Sequence, residues 1–269
     1  MNKSFNQRPN DGRGRRPVTR KTSWGKSADW YNVLLEQGGT YQSDLILPNL
    51  KRLVAPKKGE KILDLACGQG FFSREFALAG ARVCGVDISP ELIAKAKIMS
   101  PSLKIDYQVS PAHELDAFED GSFDKVISVL AIQNIHNPDE VFKACERVLV
   151  PNGSLFLVLN HPAFRIPTHS SWGWDDQDGV QYRRVDRYLS EFKSEIQMHP
   201  GSNSSEVTFS YHRPLQTYFK WLRSAGFQVR NVEEWASNKT SDSGPRANAE
   251  NSSRREIPLF MYLEAVKSL

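Results

Sequence analysis

Lys61-Ile62-Leu63-Asp64-Leu65-Ala66-Cys67-Gly68-Gln69-Gly70, followed by Ala81-Arg82-Val83-Cys84-Gly85-Val86-Asp87, decides the fold of this 269-residue chain. Ile62, Leu63 and Leu65 form a short apolar run that suits a strand covered on both faces. The small residues after it make a tight turn into Phe71-Phe72-Ser73-Arg74-Glu75-Phe76. Gly68 and Gly70 lack a Cβ, so the backbone can turn sharply there and a ligand can approach it closely. The second strand ends in Asp87, whose carboxylate can accept two hydrogen bonds from the hydroxyls of a ribose. Gly68-Gln69-Gly70-Phe71-Phe72-Ser73 only half matches the dinucleotide fingerprint, with Ser73 where its third glycine belongs. Asp64, four residues before Gly68, would repel a diphosphate and favours a cation. A structural glycine turn and a nicotinamide site remain the alternatives on this stretch alone.

Working outward, strand candidates at 61–65, 82–86, 104–108, 124–130, 153–159, 227–233 and 258–266 are separated by helical or irregular segments. That order predicts an α/β fold, a largely parallel sheet with helices on both faces. Ser89 caps and Pro90 opens the helix after the second strand, and Gly80 and Gly226 stop helical runs. Asn137-Pro138-Asp139-Glu140 reads as another helix start, with Asn137 as cap and Glu140 placed for a capping box. Val141, Cys145, Val148 and Leu149 give that helix its apolar face, and Leu215, Tyr218, Phe219 and Leu222 do the same before Gly226.

The Asp64-x-Ala66-Cys67-Gly68-x-Gly70 run resembles motif I of the class I S-adenosylmethionine-dependent methyltransferases, in their type 11 small-molecule group. The resemblance continues from about Trp24 to Val266. Ser122-Phe123-Asp124-Lys125-Val126-Ile127-Ser128-Val129 is similar to the family's fourth strand. Arg147-Val148-Leu149-Val150-Pro151-Asn152-Gly153 is similar to its Arg-Val-Leu-x-Pro-Gly-Gly turn, with Asn152, which tolerates positive φ, for the first glycine. The resemblance implies a Rossmann-like seven-stranded, mostly parallel sheet whose seventh strand is antiparallel and inserted between the fifth and sixth. It implies S-adenosylmethionine as cofactor, with Asp64, Ala66, Gly68, Gly70, Asp87, Ile88, Ala112 and Val129 around it. Val109-Ser110-Pro111-Ala112 departs from the family, because Pro111 stands where an adenine-contacting acid is usual.

The formal charge of +4 is unevenly placed: residues 1–26 hold eight Lys or Arg against Asp11, a segment of +7, which leaves −3 for the rest. Residues 6–20, rich in Gly, Pro, Asn and Arg, cannot offset the entropy of ordering. Residues 1–22 are therefore expected to be a disordered basic tail ahead of a methyltransferase domain over 23–269. The tail is either a solvated terminus or a tether for RNA, although it lacks interleaved aromatics for base stacking. No apolar run reaches the ~18 residues of a membrane span and no apolar segment follows the basic start, so a soluble cytoplasmic protein is expected. Cys67, Cys84 and Cys145 show no metal-ligand spacing and read as reduced core thiols.

Two insertions stand out. About fifty residues, 161–213, exceed the usual α/β connection. Within them Gln181-Tyr182-Arg183-Arg184-Val185-Asp186-Arg187-Tyr188 and Glu206-Val207-Thr208-Phe209-Ser210-Tyr211 read as strands of a small antiparallel cap over the sheet's carboxyl edge. The polar stretch 236–256, with Gly244-Pro245, reads as a flap or disordered loop, and 23–55 as an N-terminal helical cover containing Trp24, Trp30, Tyr31 and Leu34. His161 and His212, at the two roots of the cap, are candidate general bases, or else satisfy backbone groups and cap a helix; His136 is a weaker third. Tyr31, Trp172, Trp174 and Tyr188 are candidate walls of an acceptor pocket, with a local mini-core the alternative for the two tryptophans. Arg183, Arg184 and Arg187 meet an acidic substrate or form a solvated face. Methyl transfer to a small-molecule acceptor is the favoured function. An RNA methyltransferase and a cofactor-binding regulatory protein without transfer activity are the rivals.

Overall fold

The computed structural model describes residues 39–197 and 207–268. A π-helical turn, Gln42–Ile46, runs into α1 (Leu47–Val54). Then come β1 (Lys61–Leu65), α2 (Phe71–Leu78), β2 (Arg82–Asp87), α3 (Pro90–Ile98), β3 (Ile105–Val109) and β4 (Phe123–Val129). A 3₁₀ turn, Ile132–Asn134, leads to α4 (Pro138–Val148) and β5 (Leu149–Asn160). Four strands follow: β6 (Ser170–Asp175), β7 (Val180–Val185), β8 (Phe192–Gln197) and β9 (Val207–His212). The chain ends on α5 (Leu215–Ser224), β10 (Phe227–Trp235), α6 (Ala247–Glu256) and β11 (Phe260–Lys267).

Seven strands form one sheet in the spatial order β10-β11-β5-β4-β1-β2-β3. β11 runs antiparallel to both neighbours, whereas the β1–β2, β1–β4, β2–β3 and β4–β5 pairings are parallel. This is the expected seven-stranded, mostly parallel topology, including the insertion of the last strand. The winding reverses between β1 and β4, which opens a crevice beyond their carboxyl ends.

Alternation of side chains across the central strands feeds two apolar layers. On β5, Leu155, Leu157 and Leu159 pack with Val141, Phe142, Cys145 and Val148 of α4 and Leu222 of α5. Phe156 and Val158 face the opposite layer, with Leu50 and Val54 of α1 and Phe72 and Phe76 of α2. Because both faces are covered, these strands carry unbroken apolar runs rather than an alternating pattern. Ser89 Oγ accepts from Leu92 N at 3.2 Å as the cap of α3, and Gly80 and Gly226 take positive φ. Asn152 also takes positive φ, 62°, in the turn that carries Gly153.

The small antiparallel cap expected within 161–213 is present as two hairpins, β6 with β7 and β8 with β9. Elsewhere the periphery differs from expectation in two places. The stretch 236–256 contains a helix, α6, none of whose residues is buried; it is tied to the first hairpin by Ser253 Oγ donating to the Gln181 carbonyl at 2.5 Å. Asn137 precedes α4 without a side-chain cap, because its Oδ1 pairs with His136 Nδ1 instead. The basic tail and Trp24, Trp30, Tyr31 and Leu34 lie outside the described residues, and of the cover expected over 23–55 the structure describes 39–55. Among the described residues, no helix is long and apolar enough to cross a membrane.

Candidate functional site

The turn from β1 to α2 lies at the switch point, and three of its residues hold left-handed backbone: Ala66 (φ 57°), Gly68 (φ 57°) and Gly70 (φ 76°). Ala66 bears a Cβ there, at a local cost of about 1–2 kcal/mol. Cys67 N donates to the Val86 carbonyl at 2.9 Å, which ties the turn to β2. A Cβ on Gly70 would lie 2.2 Å from the Tyr107 hydroxyl, so Tyr107 closes the turn from below. A Cβ on Gly68 would meet nothing within 4 Å, so the bare face of Gly68 fronts open space.

Two carboxylates stand under this turn. Asp87 at the end of β2 accepts from Gly68 N through Oδ2 and from Ser89 N through Oδ1, both at 2.9 Å. Burial lifts its pKa, while these backbone N–H groups pull it down. Each oxygen keeps a further lone pair for a hydroxyl. Asp64 is 2% exposed and accepts from Ser73 Oγ at 2.5 Å. Burial raises its pKa to about 7, against the opposing hydrogen bonds from Ser73 and with a smaller upward push from Asp87. The serine that breaks the dinucleotide pattern thus supports the acid that distinguishes the site.

Three further features suit this edge to a nucleoside with a cationic arm. Ile88 is 60% exposed immediately after Asp87, an apolar surface suited to a base. Gln69 is buried inside the turn, and neither atom of its side-chain amide has a hydrogen-bond partner. The cluster holding Asp64 and Asp87 favours positive charge. Val129 and Ala112, both half-buried, stand at the end of β4 and in the loop after β3. Cys67, Cys84 and Cys145 are buried and unpaired, and burial raises all three thiols, Cys84 and Cys145 to about 12, so none is a nucleophile near neutral pH.

The two candidate histidines, at the roots of the cap, have different fates. His161 Nε2 lies 2.6 Å from Glu234 Oε1, and its Nδ1 accepts from Ala163 N at 3.2 Å and Phe164 N at 3.3 Å. With both ring nitrogens engaged, His161 pins the loop after β5 to β10 and has no free lone pair for a substrate proton. His212 bonds through Nε2 to the Tyr188 carbonyl at 2.8 Å, which fixes the neutral tautomer with Nδ1 unprotonated. Burial lowers the pKa of His212 below the ordinary imidazole value. His212 also lines a cavity between the end of β5 and the second hairpin, together with Gln133, Arg165 and Arg213.

The aromatic candidates lie elsewhere. Arg183 Cζ sits 5.2 Å from the Trp172 ring within the first hairpin, and Arg246 Cζ 4.4 Å from the Trp174 ring, a contact that ties the hairpin to the segment leading to α6. Neither lines the cavity. Arg183 donates to the Phe164 carbonyl and to Ser170 Oγ, both at 2.8 Å, and so braces the hairpin instead of forming a solvated face. The Tyr188 hydroxyl accepts from Leu215 N at 3.1 Å, holding the start of α5. Tyr31 lies outside the described residues. Sequence reasoning missed the role of Ser73, whose partner Asp64 lies nine residues before it across the turn, and missed Gln133 and Arg165, which segments distant in sequence bring to one cavity.

Asp64 generates a stability test that needs no ligand. Its folded pKa is raised above the ordinary 3.8, so its stabilising contribution is present below that value and is lost as pH rises through about 7. At pH 8 the buried carboxylate carries its full desolvation penalty. Asp64→Asn should raise the melting temperature of the ligand-free protein by a few degrees at pH 8 and by distinctly less at pH 5, where only part of the penalty has developed. Equal shifts at both pH values, or a loss at pH 8, would contradict this electrostatic assignment.

Comparison with known proteins agrees with this geometry. A family model described as a methyltransferase domain matches residues 63–157. The chain is 37% identical over 101 residues to a ubiquinone biosynthesis O-methyltransferase of Xanthomonas oryzae pv. oryzae, an alignment that covers 37% of this chain and 42% of that relative. The chain thus spans under half the length of this relative. A protein of the same name from Xanthomonas euvesicatoria pv. vesicatoria is 36% identical over 216 residues, 76% of this chain and 75% of the relative. Among solved structures, an S-adenosylmethionine-dependent methyltransferase from Mesorhizobium loti superposes with a TM-score of 0.65 at 26% identity, covering 82% of this chain and 96% of that one. Since the Xanthomonas euvesicatoria alignment takes in most of both proteins and the sheet order agrees, the chain belongs to the class I S-adenosylmethionine-dependent methyltransferases.

Proposed function

We propose that this protein transfers a methyl group from S-adenosylmethionine to a hydroxyl of a small-molecule acceptor. The observation that carries this reading is the buried Asp64–Ser73 pair beside Asp87 at the sheet's switch point, an acid cluster suited to a cationic nucleoside and hostile to a diphosphate. When bound, S-adenosylmethionine supplies an electrophilic methyl carbon on a positively charged sulfur. Asp87 would hold the ribose hydroxyls, Ile88 would cover the base, and Asp64 would balance positive charge. Gly68, Gly70 and Ala66 shape the backbone around it, with Ala112 and Val129 on the flanks. The relatives' name, O-methyltransferase, supports an oxygen acceptor.

A hydroxyl is a weak nucleophile until its proton is removed, and orientation alone can supply ~7–11 kcal/mol of the barrier. His212 is the group placed for that task. Its Nε2–H is committed to the Tyr188 carbonyl, no hydrogen bond engages its Nδ1 among the described residues, and its lowered pKa keeps it neutral near pH 7. His161, engaged at both nitrogens, is a positioning residue. The partly enclosed cavity beside His212 favours a small acceptor over RNA.

Asp87→Ala should weaken S-adenosylmethionine binding by about 1.5–3 kcal/mol in a protein that still folds, through loss of charge-assisted hydrogen bonds. Calorimetric titration checks this, and unchanged affinity would sink the cofactor assignment. His212→Gln should lower the rate of methyl transfer about 10²–10⁴-fold with little effect on cofactor affinity. Near wild-type turnover in that variant would mean that proximity alone drives the reaction.

A further inference from the structure

Resting on the methyl-transfer reading, we infer that the acceptor carries a carboxylate, which lodges against Arg165 and Arg213 in the cavity beside His212. Both arginines line this cavity, a narrow cleft of about 20 Å³ that shares Asn160, Arg165, Pro167 and Ser210 with a wider crevice, and among the described residues no Asp or Glu lines the cleft. Arg213 is 5% exposed. Its Nη2 donates to the carbonyls of Ile135 at 2.9 Å and His136 at 2.7 Å, while its buried Nη1 has no hydrogen-bond partner. The rings of Tyr211 and Trp221, 4.9 and 5.3 Å from its Cζ, cover the guanidinium without neutralising it.

Arg165 repeats the arrangement. Its Cζ stands 5.2 Å over the Phe260 ring, and among the described residues it forms no ion pair. Burial lowers its pKa, against an opposing push from Tyr41 and with a smaller one from Arg183 in the same direction. Arg165 is half-buried and Arg213 buried, and a planar, multiply hydrogen-bonding anion is the natural complement of two guanidinium groups without a carboxylate partner among the described residues. Glu191 is exposed and accepts from Thr217 Oγ1 at 2.7 Å, and Glu195 lines the wider crevice of about 440 Å³ that shares Arg165 and Ser210 with the cavity.

Gln133 adds a second requirement. Its Nε2 donates to the Leu130 carbonyl at 2.7 Å, which leaves Oε1 buried and without a donor in the same cavity. A hydroxyl on the acceptor satisfies that atom. The combined chemistry is a small hydroxy acid, with its anion on the arginines and its hydroxyl between Gln133 and His212.

The test uses the full chain saturated with S-adenosylhomocysteine and titrated with matched pairs, 4-hydroxybenzoate against 4-hydroxybenzamide and salicylate against salicylamide. At least one acid should bind about tenfold or more tightly than its amide, and added salt should erode that preference. Arg165→Gln and Arg213→Gln should each abolish the preference while leaving S-adenosylhomocysteine affinity unchanged. If Arg213→Gln fails to fold, Arg165→Gln alone decides the matter. The inference is overturned if no acid outbinds its amide, or if the preference survives substitution. It is also overturned if the variants lose S-adenosylhomocysteine instead, because the arginines then serve the cofactor's own carboxylate. Failure of the unmodified protein to bind S-adenosylhomocysteine would instead count against the methyl-transfer reading.

Discussion

Everything at the switch point depends on one costly placement, the Asp64 carboxyl buried at the end of β1 with the Ser73 hydroxyl as its close partner. A lone carboxylate in that position resists ionisation, and its pKa rises to about 7. The surrounding turn is shaped to keep it there. Left-handed backbone at Ala66, Gly68 and Gly70 lets the chain double back over it, and Asp87 clamps the turn through the Gly68 N–H. Such a site is incomplete without positive charge, and it is therefore better matched to a sulfonium nucleoside than to a dinucleotide.

The proposed acceptor side is built by different means. The sheet supplies the ends of β4 and β5, but the cavity exists because the second hairpin folds back over them and brings His212 and Arg213 beside Gln133 and Arg165. His161 anchors the near root of this insertion by bonding to Glu234 on β10. The first hairpin serves as scaffold, its tryptophans in contact with Arg183 and Arg246. The proposed cofactor site thus sits on strand ends, and the proposed acceptor site on an insertion that can vary without disturbing the sheet.

The sheet was legible because its strands are buried on both faces and therefore appear as compact apolar runs, and because Ser89, Gly80 and Gly226 punctuate the helices through local backbone chemistry. Asp64, Gly68 and Asp87 could be singled out for the same reason, since the motif is local. The cap was not legible in detail. β6 to β9 are six residues each, and the alternation of Val207, Phe209 and Tyr211 or of Trp172 and Trp174 marks a strand without fixing which strand it pairs with. α6 has no buried residue and hence no periodic signal; contacts with the first hairpin define its place. The opposite fates of His161 and His212 hinge on Glu234 and the Tyr188 carbonyl, partners remote in sequence.

The central claim is that Asp64 meets the cofactor's positive charge, and proton release on binding tests it most directly. Calorimetric titration of S-adenosylmethionine at pH 6.5, in buffers of different ionisation enthalpy, reads the proton count while the ligand's amine stays protonated. With a free-protein pKa of about 7, Asp64 is largely protonated before binding and becomes ionised in the complex. The account predicts net release of protons, affinity that rises as pH increases through 7, and loss of both effects in Asp64→Asn. Buffer-independent heats and a flat pH profile in the unmodified protein would contradict it.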